Sequence, residues 1–395
     1  MKRVLIFSLA YFPKHVGGAE VALKEITDRI SPEEIEFHMV TLRFDSSLPK
    51  TEKVGNVIVH RIGFATTSPT IGDLKRFPLF LNKYWFQFVS PVVAMRLHRE
   101  YHFDGIWAMM AHSCGIPAGL FKTFNHEVKY LLTLQEGDPP EHIERLARPV
   151  WPLFKLGFTK ADELQAISSF LLAWGRRMGF KREGILIPNG VNIKNFADAP
   201  VIPIGKREGE TWLIHTGRLV HKNALDAVVR ALTLLPAQVH FFMIGDGPEK
   251  KSLMKLADEL HISTRVHFHS YVPNEDLPGY LASCDIFIRP SRSEGMGNSF
   301  IEAMATELPV IATQEGGIAD FLFDAKRNPD KETTGWAVDK DSPEQIALAV
   351  REILSNPEQV ARVKATARAL AFEKYDWDLI AVKMKSLFDR LFENR

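Results

Sequence analysis

The chain has 395 residues and only two cysteines, Cys114 and Cys284. They lie in different halves, so neither a disulfide framework nor a cysteine-built zinc site is available, which suits a reducing cytoplasm. Net charge is almost absent as well. Lys and Arg number 49 against 48 Asp and Glu, leaving +1, so no global field draws the chain to nucleic acid, and nucleic acid is not an expected partner. No solenoid repeat, low-complexity tract, H-E-x-x-H, zinc pair or P-loop sequence occurs. The opening Met1-Lys2-Arg3-Val4-Leu5-Ile6-Phe7 resembles a secretory leader, yet the apolar run ends at Pro13 without a small-residue cleavage site. It reads as a first buried strand.

What is present is an ordinary globular composition, 46% apolar and 25% charged. At about 150 residues per domain, this length implies two domains. Short apolar runs alternate with helical patterns throughout, the signature of βαβ units in a parallel sheet. The first-half strands are expected at Val4–Leu9, Glu36–Leu42, Val57–Ile62, Gly105–Met110, Tyr130–Gln135 and Leu164–Ile167, with helices near Glu20–Ile30, Leu74–Glu100 and Phe170–Met178. The aperiodic Pro- and Gly-rich segment 198–210 reads as a linker. Beyond it strands are expected at Trp212–Thr216, Val239–Ile244, Val266–His269, Ile286–Arg289 and Val310–Thr313, with helices at Leu225–Leu235 and Glu249–Leu260. The expected fold class is therefore α/β, with two doubly wound domains that each present the carboxyl ends of their strands as a ligand-facing edge. The closing segment Trp377–Phe392 reads as an amphipathic helix with Ile380, Met384, Leu387 and Leu391 on one face. The expected domains are 1–197, 198–372 and a tail, 373–395, crossing back to the first.

Three motifs stand where strands give way to helices. Gly17-Gly18-Ala19-Glu20 combines flexible backbone with a helix amino terminus, a place for a phosphate, although two glycines before a helix are commonly just a turn. In Thr216-Gly217-Arg218-Leu219-Val220-His221-Lys222-Asn223, Asn223 and Asp226 read as a helix cap, which leaves Arg218 and Lys222 as cations at a strand's carboxyl edge. In Pro290-Ser-Arg-Ser-Glu294-Gly295-Met296-Gly297-Asn298-Ser-Phe-Ile-Glu302, the pair Ser299 and Glu302 reads as a capping box. Glu294 has no such local role. It is placed to accept hydrogen bonds from sugar hydroxyls, while the N–H groups of Met296, Gly297 and Asn298 face an anion.

Other signals have structural explanations. Asp376-Trp-Asp378 and Asp339-Lys-Asp341 resemble a D-x-D metal motif, but each precedes a helical pattern, where Asp is a common cap. Gly245-Asp-Gly-Pro-Glu249 reads as a turn entering a helix in preference to a phosphate loop.

In this order the motifs resemble glycosyltransferase family four, the group 1 glycosyltransferases. The carriers are Gly17-Gly18-Ala19-Glu20, Ile187-Pro-Asn-Gly-Val-Asn192, Gly217-Arg218…Lys222, Gly245-Asp-Gly-Pro248 and Glu294…Glu302 with Ala303-Met-Ala. The resemblance implies a GT-B fold, two Rossmann-like domains with a deep cleft between them, and retaining transfer of a hexose-type sugar. The donor would be a UDP-, GDP- or ADP-linked sugar, with no required cofactor or metal. It further implies that Arg218 and Lys222 grip the donor diphosphate, Glu294 contacts the transferred sugar and Glu302 the ribose. The backbone near Gly18 would approach the phosphates, with Tyr271 and Val272 beside the base. Cations and helix amino termini stabilise a departing diphosphate, and one such contact is worth roughly 3–4 kcal/mol in the transition state.

At the acceptor side the resemblance departs from pattern. A histidine would ordinarily follow the strand Leu131-Leu-Thr-Leu134, and here Gln135-Glu136-Gly137-Asp138 follows. Gln135 cannot shuttle a proton, although its amide can hold a hydroxyl, and Glu136, Asp138 and His112 are further candidates. A sugar-nucleotide epimerase or phosphorylase on the same fold, and a non-catalytic nucleotide-sugar binder, stay open as alternatives.

Between Leu74 and His98 the chain carries Phe77, Phe80, Tyr84, Trp85, Phe86 and Phe88 among Lys75, Arg76 and Lys83. Such a stretch lies on a bilayer or packs on its own domain. Together with Trp151-Pro-Leu-Phe-Lys-Leu-Gly-Phe-Thr-Lys160 it makes peripheral membrane attachment and a lipid-linked acceptor an expectation.

Overall fold

The computed structural model describes residues 1–14, 17–69, 73, 76–197 and 199–393. His15 and Val16 of the first loop, Leu74 and Lys75 of the aromatic stretch, and Asp198 of the expected linker lie outside the described residues. The chain divides into two compact units, Met1–Asn189 with Trp377–Arg395, and Gly190–Asp376.

The first unit runs β1 (Lys2–Phe7), α1 (Gly18–Arg29), β2 (Ile35–Leu42), β3 (Thr51–Val54), β4 (Val57–Ile62), α2 (Asn82–Tyr101), β5 (Gly105–Met109), α3 (Ile116–Phe124), β6 (Lys129–Leu134), α4 (Pro140–Ala147), α5 (Trp151–Thr159), β7 (Glu163–Ala166), α6 (Ser169–Arg177) and β8 (Ile185–Leu186). Its sheet order is β3-β4-β2-β1-β5-β6-β7-β8, and among the described residues only its β3–β4 pair is antiparallel. The central strands are apolar on both faces because helices cover both, as parallel sheets require.

The second unit runs α7 (Ile193–Ala197), β9 (Thr211–Thr216), α8 (Leu225–Ala231), β10 (Val239–Ile244), α9 (Lys250–Glu259), β11 (Val266–His269), α10 (Leu277–Ala282), β12 (Ile286–Arg289), α11 (Asn298–Ala305), β13 (Val310–Ala312), β14 (Trp336–Ala337), α12 (Pro343–Ser355) and α13 (Pro357–Lys374). Its sheet is parallel, in the order β11-β10-β9-β12-β13-β14.

The last helix, α14 (Trp377–Glu393), belongs to the first unit. Ile380, Met384, Leu387 and Leu391 are all buried in that unit's core, and Phe388 stands edge-on to Trp107 at 5.3 Å. The tail therefore begins at Trp377, because α13 continues through 373 and 374.

The segment expected as a linker is tied down within the second unit. Ile202 donates its N–H to Ser283 Oγ at 2.9 Å, Ser283 returns a bond to the Ile202 carbonyl at 2.8 Å, and Lys206 pairs with Asp285 at 2.6 Å. In the aromatic stretch the long helix starts at Asn82, later than expected, after a 3₁₀ turn over Leu79–Leu81 that follows Pro78.

In each sheet the chain crosses to the other side of its first strand, between β1 and β5 in the first unit and between β9 and β12 in the second. The loops after these strands splay apart there, so an open sheet has a ligand-sized crevice at its carboxyl edge.

Candidate functional site

The loops leaving β9 and β12 carry the strongest chemistry. After β9 the chain turns through Gly217 at φ +132°, a conformation costly for any residue with a Cβ. The turn is seated on the Gly245-Asp-Gly loop. Gly217 donates its N–H to the Ile244 carbonyl and Leu219 donates to the Asp246 carbonyl, both at 2.9 Å. A Cβ on Gly245 would stand 2.1 Å from the Gly217 oxygen, and one on Gly247 would stand 2.2 Å from the Leu219 oxygen. Gly245-Asp-Gly is thus a cradle for the Gly217–Leu219 turn, in line with the structural reading of that motif.

Asn223 does not cap α8. Its Nδ2 donates to the Arg218 carbonyl at 2.7 Å and closes the loop, while both oxygens of Asp226 accept from Arg292 Nη2 at 2.9 Å. Arg292 also bonds Asp341 at 2.7 Å, and Asp339 pairs with Arg327 at 2.9 Å. Both carboxylates of that D-x-D sequence are thus engaged by arginines. Asp378 of the other D-x-D sequence pairs with Arg29 at 2.7 Å.

This scaffolding leaves Arg218 exposed and brings Lys222 Nζ to 3.6 Å from Glu294 Oε1. Glu294 is buried, and its other oxygen accepts from Arg289 Nη2 at 2.9 Å. Behind Glu294, Gly316 turns at φ +60°, where a Cβ would lie 2.0 Å from the Glu294 carbonyl oxygen, and Gly317 donates its N–H to that carbonyl at 3.0 Å.

The pair Ser299 and Glu302 is not a capping box. The helix begins at Asn298 after Gly297, with no side-chain cap, so Ser299 and Glu302 fall two residues deeper than the box requires. Ser299 instead accepts from Arg289 Nη1 at 2.8 Å. Glu302 is buried, and burial pushes its carboxyl up to about 7, against the pull of the Arg289 cation. Burial also draws the Arg289 guanidinium below its ordinary value, with Glu294 and then Glu302 opposing. Gly295 and Met296 are buried in the same turn, and Gly295 donates its N–H to Glu294 Oε1 at 3.1 Å. At the end of β11, Tyr271 is exposed and Val272 buried.

Among the described residues, the buried side-chain atoms of this unit without a hydrogen-bond partner are Nδ1 and Nε2 of His215, Oγ1 of Thr216, Oδ1 of Asn223, Nε of Arg289 and Oγ of Ser291. All stand at the carboxyl ends of β9 and β12 or in the loops after them. Buried polar atoms are normally satisfied, so such a concentration marks a place that handles a polar ligand. Burial, and then Arg289, hold the His215 ring well below the usual imidazole range. Arg289 and His215 carry no motif in the sequence, because they stand at the ends of apolar strands. The available signal was a cation ending Ile286-Phe-Ile-Arg289.

The first unit's edge is built from carboxylates and amides. Gly17 donates its N–H to Glu20 Oε2 at 2.7 Å, and Glu20 is itself buried, which lifts its carboxyl above the usual range. The Gly17 amide is therefore already engaged, whereas a Cβ on Gly18 would meet nothing within 4 Å. After β5, Met110 sits at φ +67° and a π-helical turn follows over Ala111–Gly115, two forms of local strain that recur at functional sites. Glu136 caps that turn, accepting from the N–H of Ala111 at 2.6 Å and of His112 at 3.3 Å. Its Oε1 lies 3.6 Å from His112 Nδ1. The His112 ring is exposed. Gln135 and Asn189 exchange two amide hydrogen bonds at 3.0 and 3.2 Å. Both are buried, so Gln135 spends its amide on the chain segment leaving the unit. Asp138 is exposed.

Residues 16–195 match the model of Glycosyltransferase Family 4, and residues 202–370 match that of Glycosyl transferases group 1. The chain belongs to this glycosyltransferase family. It is similar to the GDP-mannose-dependent alpha-(1-6)-phosphatidylinositol monomannoside mannosyltransferase of Mycolicibacterium smegmatis, 28% identical over 53% of this chain and 57% of that one. The match thus spans little more than half the length of that relative. In fold it is similar to the sucrose-phosphate synthase of Thermosynechococcus elongatus, with TM-score 0.80 and 20% identity over the whole of both chains. It is also similar to Anabaena HepE in complex with UDP and glucose, with TM-score 0.74 and 18% identity over 99% of this chain and 100% of that one. Both likenesses place this glycosyltransferase in the GT-B fold class, with two Rossmann-like domains.

Proposed function

We propose that this glycosyltransferase transfers a hexosyl group from a nucleoside-diphosphate sugar to an acceptor with retention of anomeric configuration, the donor lying against the carboxyl edge of the second unit. The observation that carries the reading is the Lys222–Glu294 ion pair where β9 and β12 part, with Arg218 exposed in the same loop as Lys222. Cleavage of the anomeric carbon–oxygen bond transfers its electron pair to the diphosphate, whose negative charge grows as it leaves. Arg218 and Lys222 compensate that charge without a metal ion, Glu294 receives sugar hydroxyls, and Glu302 receives the ribose. Tyr271 and Val272 stand beside the base; in the loop of the first unit Gly17 gives its N–H to Glu20, so Gly18 is the glycine left open to a phosphate. His112, oriented by Glu136, serves the acceptor hydroxyl.

The donors named for the relatives differ, GDP-mannose in one and UDP with glucose in another, so the base is left to experiment. Thermal shift against UDP-, GDP- and ADP-sugars should give stabilisation near 2.7 kcal/mol when ligand reaches about a hundred times its dissociation constant. Arg218→Ala and Lys222→Ala should abolish it. No shift with any of the three would overturn the reading.

We propose further that the first unit attaches to the inner face of an anionic membrane and takes a lipid-linked acceptor. Phe77, Phe80, Tyr84, Phe88 and Val92 are exposed along one stripe, flanked by exposed Arg76, Lys83, Arg96 and Arg99. Among the described residues no helix is long and apolar enough to cross a membrane. An interfacial helix of this kind binds through buried aromatic area plus attraction to anionic lipid. Sedimentation with anionic liposomes at low salt should be lost on Phe88→Ser with Tyr84→Ser, and indifference of the native protein to such liposomes would refute attachment.

A further inference from the structure

Glu294 is held by two cations of different kinds. Lys222 reaches its Oε1 at 3.6 Å from a turn, with the lysine side chain 21% exposed. Arg289 grips its Oε2 at 2.9 Å from the end of β12, with the arginine side chain 8% exposed. Arg289 is held through both terminal nitrogens and one face of its guanidinium. Nη1 donates to Ser299 Oγ at 2.8 Å, and the guanidinium lies 4.3 Å over the Phe300 ring. A Cβ on Gly297, at φ +89°, would stand 2.5 Å from Nη2 and 2.6 Å from that ring. The left-handed glycine is therefore what makes room for the guanidinium.

A lysine is a mobile point charge on a flexible stem, whereas an arginine fork locked in this way cannot follow a ligand. A diphosphate arriving at Lys222 would draw the ammonium away from Glu294, and a buried carboxylate stripped of its counter-ion is strongly unfavourable. With Nη2 on Glu294 and Nη1 on the uncharged Ser299, the charge of Arg289 is directed to Glu294.

We propose that Arg289 is a positioning residue that keeps Glu294 compensated and oriented, so that Lys222 can pass from that carboxylate to the donor diphosphate. This rests on the donor-site reading above. It predicts that Arg289 acts on diphosphate binding through Glu294 and Lys222, with no contact of its own to the phosphates.

The test is a double-mutant cycle read by calorimetric titration of UDP and of GDP, each as the free nucleotide. In Arg289→Met, Lys222 stays on Glu294 and affinity should fall by about tenfold. In Glu294→Gln, Lys222 is free of its carboxylate partner and affinity should be unchanged or higher. The double variant should bind like Glu294→Gln, the loss having vanished. An equal loss in both backgrounds would make Arg289 a structural residue only and overturn the proposal. If Arg289→Met does not fold, Arg289→Lys serves. It keeps the charge but cannot span Ser299 and Glu294, so it should give a smaller loss that Glu294→Gln again removes, and persistence of that loss overturns the proposal equally. Failure of the native protein to bind any nucleoside diphosphate would instead remove the donor-site reading, and this proposal with it.

Discussion

The two sheet edges are built alike and charged differently. In the first unit the buried carboxylates Glu20 and Glu136 are met by backbone N–H groups at the starts of helices. In the second, Glu294 is met by Arg289 and Lys222, and the adjacent loop presents Arg218. A carboxylate at a helix amino terminus uses up the donors that an anion would otherwise take. A carboxylate flanked by cations leaves positive charge to be reassigned. On the proposed reading, this difference assigns the polyanion to the second unit and the acceptor hydroxyl to the first.

The strongest test of that contrast removes a cation. Lys222→Ala or Arg218→Ala should lower sugar transfer about a hundred- to thousandfold, some 3–4 kcal/mol of transition-state stabilisation, with the melting temperature little changed. Steady-state turnover beside a thermal melt separates the two effects. If activity fell no further than in Glu136→Gln, the division of labour between the edges would be wrong.

A second test concerns the seating of the cation loop. Gly245→Ala forces a Cβ into the Gly217 carbonyl oxygen, 2.1 Å away, at a φ of +134°. Strain at such a position typically costs about 2–4 kcal/mol. Urea denaturation should report this cost, and a neutral result would mean that the loop tolerates a different seating.

These tests also mark how far the sequence was legible. The alternation of strands and helices, the closing helix with Ile380, Met384, Leu387 and Leu391, and the strand-end positions of Arg218, Lys222 and Glu294 were all readable, because periodicity and strand-end position are local properties. The roles of Ser299, Asn223 and Gln135 were not. Ser299 and Asn223 have the right spacing for helix caps, but a long-range partner, Arg289 in one case, and the loop's own carbonyl in the other claimed their side chains first. Gln135 was read for what it lacks, a titratable ring, while its role depends on Asn189, far along the chain. Arg289 was hidden because a cation at the end of an apolar strand has no motif of its own.

The units should also part company with pH. In the first, burial and then the neighbouring His38 hold His60 down at about 4. Its folded-state pKa lies below the ordinary value near 6.5, so the stability it supports is present above 6.5 and lost as pH falls toward 4, up to about 3 kcal/mol. In the second, Glu302 is raised to about 7 by burial. Its contribution is complete below the ordinary carboxylate range and is lost as pH rises through 7, again about 2–3 kcal/mol. Hydrogen exchange followed by mass spectrometry should show acid loosening of the first unit, relieved by His60→Phe, and alkaline loosening of the second, relieved by Glu302→Gln. The reverse assignment would contradict the burial argument.

The smallest effect concerns Gly18. With nothing within 4 Å of a Cβ placed there, Gly18→Ala should change stability by less than about 0.5 kcal/mol. Its use lies in separating fold from function at the first edge. Gly17 already gives its N–H to Glu20, so only the amides beyond it are left to meet a phosphate, and a methyl group at 18 stands in the way of that approach. A raised KM for the donor at unchanged turnover and melting temperature would mean that the first edge shares the diphosphate with Arg218 and Lys222. Unchanged KM would mean that the Gly17-Gly18 turn serves Glu20 and α1 alone, leaving the second unit to bind the diphosphate by itself.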